Sequence, residues 1–199
     1  GNQKFPSKRE SNQQLNFIMN KKFSTEPLVS IIMNCYNGET YLRESVESIL
    51  AQTFENWELI FWDNQSKDKS AEIFKSYKDE RFKYFYADKH TLLYEARNKA
   101  IKKSSGKFIA FLDTDDFWEK SKLELQIPLF NDSEVGVVYG NHFIINERLN
   151  TKKIFLRGKK PKGYILDNLL KNYCTSLVTL VIRKSFFDNY QPPFDNLFH

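Results

Sequence analysis

Three short apolar runs each end in a knot of small polar and acidic residues, and this repeated ending limits the folds open to the chain. Leu28-Val29-Ser30-Ile31-Ile32-Met33 runs into Asn34-Cys35-Tyr36-Asn37-Gly38. Trp57-Glu58-Leu59-Ile60-Phe61-Trp62 runs into Asp63-Asn64-Gln65-Ser66, and Phe108-Ile109-Ala110-Phe111-Leu112 into Asp113-Thr114-Asp115-Asp116. Short apolar runs bounded by turn formers read as buried strands. Between them, Leu42, Val46, Ile49 and Leu50 recur at the spacing of one helix face, and Ala71, Ile73, Phe74 and Tyr77 suggest a second helix. Phe82 to Tyr86 predicts another strand, followed by a helix through Ala96, Ala100 and Ile101. Strands alternating with amphipathic helices predict the α/β class, with a mostly parallel central sheet flanked by helices. Ligands of such sheets sit at the carboxyl ends of the strands. The three polar knots therefore converge on one rim.

The texture changes after Trp118. A helix is predicted over Glu119 to Phe130, and strand pieces at Val135 to Tyr139 and Phe143 to Ile145. A further helix is expected near Leu166 to Lys171, and a strand over Leu177 to Ile182. Residues 1–26 read as a polar, basic tail without the apolar core of a secretory signal. No apolar run approaches the roughly 18 residues of a membrane span. The 199 residues carry a net charge of +5, of which +3 lies in the tail: Lys4, Lys8, Arg9, Lys21 and Lys22 against Glu10 and Glu26. The rest is near neutral, which speaks against a nucleic-acid partner. One local exception is the basic segment Lys152, Lys153, Arg157, Lys159, Lys160 and Lys162. It suits a solvated loop, or a surface for anionic lipid or a phosphorylated acceptor. Two cysteines, Cys35 and Cys174, exclude a disulfide scaffold or zinc framework.

Asp113, Asp115 and Asp116 form the most chemical segment. Three carboxylates within four residues repel one another unless a cation sits among them. Hard divalent ions such as Mn²⁺ or Mg²⁺ accept such oxygens together with phosphate. An acidic turn capping the next helix would use the same residues. Asp63 and Asn64 suit contacts to a nucleobase or ribose, or an Asx-turn. Arg97 suits a nucleotide, or simply an exposed helix face, with Asn98 packing against the rim. His90, His142 and His199 lack the spacing of a metal triad, and Cys35 reads as a small buried hydrophobe. No glycine-rich phosphate loop is present, which leaves phosphate to be met mainly by metal.

The segments VSIIMNCYNGETYLRESVESILAQTFENWELIFWDNQSKDKS, EARNKAI and GKFIAFLDTDDFW, in this order and spacing, resemble the nucleotide-sugar-binding half of family 2 glycosyltransferases, which have the GT-A fold. VGVVYGNHFIIN and SLVTLVIRKSFF are similar to later parts of that family more loosely. The resemblance implies a Rossmann-like GT-A domain with a nucleotide-sugar-binding half at 27–118 and an acceptor-side half at 119–199. It implies inverting transfer from a nucleotide-sugar donor, with uracil the leading base, to a glycan or lipid-linked acceptor of polysaccharide biosynthesis. Asn34 and Tyr36 would border base and ribose, with Asp63 and Asn64 contacting them. Arg97 would assist at the nucleotide. Asp113 and Asp115 would form the DxD-type metal site for Mn or Mg, with Asp115 the favoured direct ligand. Asp116 and Trp118 would border sugar and acceptor. The same resemblance, together with the basic segment, implies a cytoplasmic location, peripheral at the inner membrane face.

Two departures qualify this expectation. Many family members have Asp where this chain has Asn64, whose amide both donates and accepts. The family's general base follows a segment like PPFDNLFH by a few residues, so the resemblance places it beyond His199 and leaves the acceptor side incomplete. Asp195 is a conceivable substitute. The expectation is a chain that binds donor and transfers poorly. A non-catalytic sugar-nucleotide-binding module and a sugar-phosphate nucleotidyltransferase are the competing readings.

Overall fold

The structure is a computed structural model that describes residues 27–158, 160–165, 175–189 and 194. The tail, the helix expected near Leu166, Cys174 and Asp195 lie outside the described residues.

The chain alternates strand and helix through β1 (Val29–Cys35), α1 (Leu42–Leu50), β2 (Trp57–Asp63), α2 (Ser70–Ser76), β3 (Phe82–Tyr86), α3 (Leu93–Ile101) and β4 (Phe108–Phe111). It continues with α4 (Lys122–Gln126), a 3-10 turn (Ile127–Asn131), β5 (Val137–Val138) and the hairpin β6 (Phe143–Asn146) and β7 (Thr151–Ile154). A second 3-10 turn (Leu177–Thr179), β8 (Val181–Arg183) and α5 (Ser185–Asn189) follow. Six strands form one sheet in the order β3-β2-β1-β4-β8-β5. β1 pairs in parallel with β2 and β4, so Ile31 lies between Leu59 and Ala110. β8 runs antiparallel to both β4 and β5. The mostly parallel α/β sheet is the architecture that the run-and-knot pattern predicts.

Every position of β1 and β2 is buried, as befits parallel strands covered on both faces. Side chains alternate between two cores. Ile31, Met33, Leu59, Phe61 and Leu112 pack with Val46 and Ile49 of α1, Phe74 of α2 and Leu123 of α4. Ile32, Ile60, Trp62, Ile109 and Phe111 pack with Ala96, Ala100 and Ile101 of α3 and Phe187 of α5. Each large apolar side chain so buried stabilises the fold by roughly 1.5–3 kcal/mol. At the amino ends of the strands, the carboxylate of buried Glu58 accepts from the Ser30 hydroxyl and from the backbone N–H and hydroxyl of Ser105, and pairs with Lys83. Gly106 closes this knot, because a Cβ there would stand 2.6 Å from the backbone nitrogen of Ser30.

Several elements differ from expectation: the strand piece expected over Val135 to Tyr139 is only β5, and Lys152 and Lys153 of the basic segment stand in β7 instead of a loop. The helix predicted over Glu119 to Phe130 is α4 alone, continued by the 3-10 turn. At its start, the Gln52 amide donates to the Glu119 carbonyl at 2.9 Å and its oxygen accepts from Leu123 N–H at 3.1 Å. These bonds take the place of helical ones, and Pro128 brings no N–H to continue an α-helical ladder. The strand predicted over Leu177 to Ile182 begins at Val181. Upstream, Trp118 Nε1 donates to the Val178 carbonyl at 3.0 Å and Gln126 Nε2 to the Thr179 carbonyl at 2.9 Å. Side chains thus take carbonyls that a strand would give to its neighbour.

Candidate functional site

The loops after β1 and β2 are laced together by reciprocal hydrogen bonds. Asn37 N–H donates to Ser66 Oγ at 3.1 Å, and Lys67 N–H returns a bond to Asn37 Oδ1 at 2.8 Å. Gly38 N–H donates to Ser70 Oγ at 2.9 Å, Glu39 N–H to Asp68 Oδ2 at 2.9 Å, and Lys69 N–H to Glu39 Oε2 at 2.8 Å. Asn37 and Gln65 adopt left-handed φ values of 55° and 70°, which turn the chain sharply at both strand ends. Gly38 lets the first loop touch the acidic one, since a Cβ on it would lie 2.6 Å from Thr114 Oγ1. The Ser45 hydroxyl on α1 lies 2.9 Å from the Thr114 carbonyl and 2.6 Å from that of Asp116, tying the acidic turn to the helix. The three knots therefore form one continuous rim.

Asp63 is fully buried, with Oδ1 accepting from Ser66 N–H at 2.7 Å and Oδ2 from the Tyr84 hydroxyl at 2.7 Å. Burial, with the Asp63 carboxylate beside it, raises the Tyr84 hydroxyl well above its ordinary pKa. Asn64 is also buried, and its side chain clamps Thr91: Nδ2 donates to the Thr91 carbonyl at 2.7 Å, and Oδ1 accepts from Thr91 N–H at 3.2 Å. His90 Nδ1 lies 2.9 Å from the Asn64 carbonyl, and its ring packs on exposed Tyr36 at 4.3 Å between centroids. Tyr36 is thereby held as an open aromatic surface above the first two loops. Asn34 is buried at the end of β1 with no hydrogen-bond partner for Nδ2 among the described residues.

Past β4, Arg97 Nη2 of α3 bonds both Asp113 oxygens, at 3.1 and 3.2 Å. Neighbouring Asn98 pins the Phe194 backbone from both sides, at 2.6 and 3.1 Å. Asp115 is exposed. Burial, then the charges of Asp115 and Asp113, push the Asp116 carboxyl up to about 6. Asp115, Asp116 and buried Trp118 line a cavity of about 630 Å³ that extends between α4 and the inner face of the β6–β7 hairpin. Lys122 lines it too, its Nζ 4.2 Å from the centre of the Trp118 ring and 2.7 Å from Gln126 Oε1. Burial lowers the Lys122 ammonium to about 7.

The rim's chemistry suits a divalent cation. Asp113 and Asp115 offer carboxylate oxygens, and Arg97 is the one ion-pair partner the described residues give to the three acids. Among the described residues, no three His, Cys, Asp or Glu side chains could hold a metal by themselves, so substrate oxygens would have to complete the shell. Cys35 is a free, buried thiol whose pKa is raised by burial, the small hydrophobe expected.

The structure brings Asp113, Asp115, Asp116 and Arg97 together and sets Trp118 at the same cavity. It commits Asp63 and Asn64 largely to internal hydrogen bonds. Tyr84, Thr91 and Lys122 gave no sign in the sequence, and His90, weighed there only as a metal ligand, supports Tyr36 instead; only Ser45 carried a usable signal: a hydroxyl on the apolar face of α1 beside Leu42, Val46 and Ile49.

The chain matches the family model for glycosyl transferase family 2 over residues 30–188. It is 36% identical over 167 residues to the Escherichia coli UDP-Glc:alpha-D-GlcNAc-diphosphoundecaprenol beta-1,3-glucosyltransferase WfgD. That match covers 84% of this chain and 64% of WfgD, so the chain spans under two thirds of this relative's length. Staphylococcus aureus TarS 1-349 in complex with UDP-GlcNAc superposes with a TM-score of 0.69 at 22% identity, covering 81% of this chain and 46% of that one. The Pyrobaculum calidifontis mannosyltransferase PcManGT, in complex with GDP-Man and Mn²⁺, superposes at 0.62 with 14% identity over 90% of this chain and 54% of that one. At such identities the superpositions speak for the GT-A fold alone. A family match across the whole sheet and a relative sharing more than a third of its residues lead to one conclusion: the chain belongs to glycosyl transferase family 2.

Proposed function

We propose that this chain takes a UDP-sugar as donor, holds a divalent cation on Asp113 and Asp115, and serves inverting transfer of the sugar to a glycan or lipid-linked acceptor. The observation that carries the reading is the convergence of Asp113, Asp115 and Asp116 with Arg97 on the rim that Tyr36 and Asn34 also border. In this reading residues 27–118 hold the donor and residues 119–199 face the acceptor. Tyr36 stacks on the base, and the free Asn34 amide donates to base or ribose. Asp63 and Asn64 shape the base pocket, Asp63 with acceptor capacity beyond its two internal bonds. Arg97 holds Asp113 in place and lends positive charge to the diphosphate. The cation, when bound, supplies Lewis-acid neutralisation of the leaving diphosphate. Asp116 and Trp118 border the transferred sugar, and the 630 Å³ cavity beside them receives the acceptor. The names of WfgD and TarS support UDP, and the Mn²⁺ of PcManGT supports a metal.

Calorimetric titration with UDP and GDP, each with and without Mn²⁺, tests this reading on the chain and on Asp115→Ala. Metal-dependent UDP binding that falls at least about tenfold in Asp115→Ala supports it, a loss of about 1.4 kcal/mol. Equal binding of UDP without metal, or by the variant, overturns the metal assignment. A folded chain that binds neither nucleotide overturns the donor reading.

A further inference from the structure

The β6–β7 hairpin belongs to neither core. Strand pairing sets Phe143 opposite Ile154, Ile144 opposite Lys153, and Ile145 opposite Lys152. Because side chains alternate across a strand pair, these pairs divide between two faces. Phe143, Ile145 and Lys152 line the acceptor-side cavity. Ile144 and Lys153 therefore project from the opposite, outer face. The turn adds Arg148 and Leu149, and Leu149 is 71% and Ile144 53% exposed. Exposed aliphatic side chains clustered within one hairpin and rimmed by polar residues mark an interaction site.

Charge identifies the partner. Residues 140–165 contain seven Lys and Arg against one acid, Glu147. Glu147 is itself engaged, accepting from the Tyr41 hydroxyl at 2.9 Å. The segment is thus net +6, while the remainder of residues 27–199 is net −4. Positive charge is thus concentrated along one segment of the chain, and the hairpin with the stretch after it is the part drawn to a negative surface. Exposed aliphatic residues interleaved with basic ones match the boundary of an anionic bilayer, where the aliphatic groups enter the acyl edge and the ammonium and guanidinium groups reach the headgroups. A polyanion free in water would use the charges and leave Ile144 and Leu149 unburied.

We infer that the outer face and turn of the β6–β7 hairpin, with Ile144, Arg148, Leu149 and Lys153 at its centre, dock this chain on an anionic lipid surface. The inference deepens the acceptor reading above, because the same hairpin's inner face lines the cavity proposed for the acceptor. A docked hairpin would hold the mouth of that cavity beside the bilayer, where a lipid-linked acceptor resides.

The test is vesicle co-sedimentation of the full chain with phosphatidylglycerol-containing and with pure phosphatidylcholine vesicles, at low and high salt. Each basic residue near an anionic surface is worth about fivefold in partitioning, so Arg148→Gln with Lys153→Gln should lose roughly 25-fold. Ile144→Ser with Leu149→Ser should weaken binding at high salt, where the aliphatic contribution dominates. All variants retain the basic tail, so any loss reads the hairpin alone. Circular dichroism and UDP titration on the same samples report folding and the donor site independently of the membrane result. Equal binding to both vesicle types, or binding unchanged in both double variants, overturns the inference. Displacement by inorganic pyrophosphate at constant ionic strength overturns it as well, by showing a discrete anion site instead of a lipid-docking face. Failure of UDP binding with intact vesicle binding would sink the donor reading and leave this one standing.

Discussion

At the scale of single residues, the rim is made of side chains that do two jobs at once. Asn64 is the clearest case. Its amide donates to one backbone group of Thr91 and accepts from another, closing the loop between β3 and α3 onto the end of β2. A carboxylate in the same pose would face the Thr91 carbonyl at 2.7 Å with no proton to give. Asn64→Asp should therefore lower stability by about 1–3 kcal/mol. In urea denaturation this would move the midpoint with little change in slope. An unchanged midpoint would mean that the loop re-forms around the acid. The amide at Asn64 is thus bound up with how this loop is held. Asp63 and Asn64 stood out in the sequence as polar residues after a strand. Their burial did not, because the shielding groups Tyr84 and Thr91 come from other segments.

At the scale of elements, the strands are tied at both ends by polar groups, and the amino-end knot has a pH signature. Burial pushes the Glu58 carboxyl up, but its bonds to Lys83, Ser30 and Ser105 outweigh burial and leave it below its ordinary value. A carboxyl with a folded pKa below its unfolded one contributes stability that is fully present above the unfolded pKa. That contribution fades as pH falls through the folded value. Glu58→Gln should therefore be clearly less stable than the parent chain near neutrality, and the gap should narrow as pH drops through and below the ordinary glutamate range. Denaturation midpoints of both chains across that range check it, and a gap that widens in acid would refute the assignment. The four strands of the first half were readable in the sequence because apolar runs with sharp polar ends have few other uses. The ends of α4 and β8 were not readable. Gln52, Trp118 and Gln126 decide them from a distance by taking particular backbone groups.

At the scale of the whole molecule, the sheet is completed by a segment far along the chain. β8 slots between β4 and β5, and Phe187 of the following α5 packs against Phe111 on the α3 side of the sheet, their ring centres 6.2 Å apart. The second core therefore depends on residues some seventy positions beyond the strand they cover. Phe187→Ala should cost about 3–5 kcal/mol, with amide exchange quickening first in α3 and β4. A loss below about 1 kcal/mol would show that α5 merely decorates the fold. The order of short apolar runs, polar knots and helical spacings was enough to determine an α/β sheet with a ligand-facing rim, because strand period, helix period and the end of a parallel strand are local properties. The pairing of Arg97 with Asp113, the burial of Asp63 and Asn64, the cavity beneath the hairpin and the outward turn of Ile144 and Leu149 were decided only in three dimensions. Each depends on which distant side chain fills the neighbouring space, and that is set by packing between segments whose separation along the chain carries no trace of it.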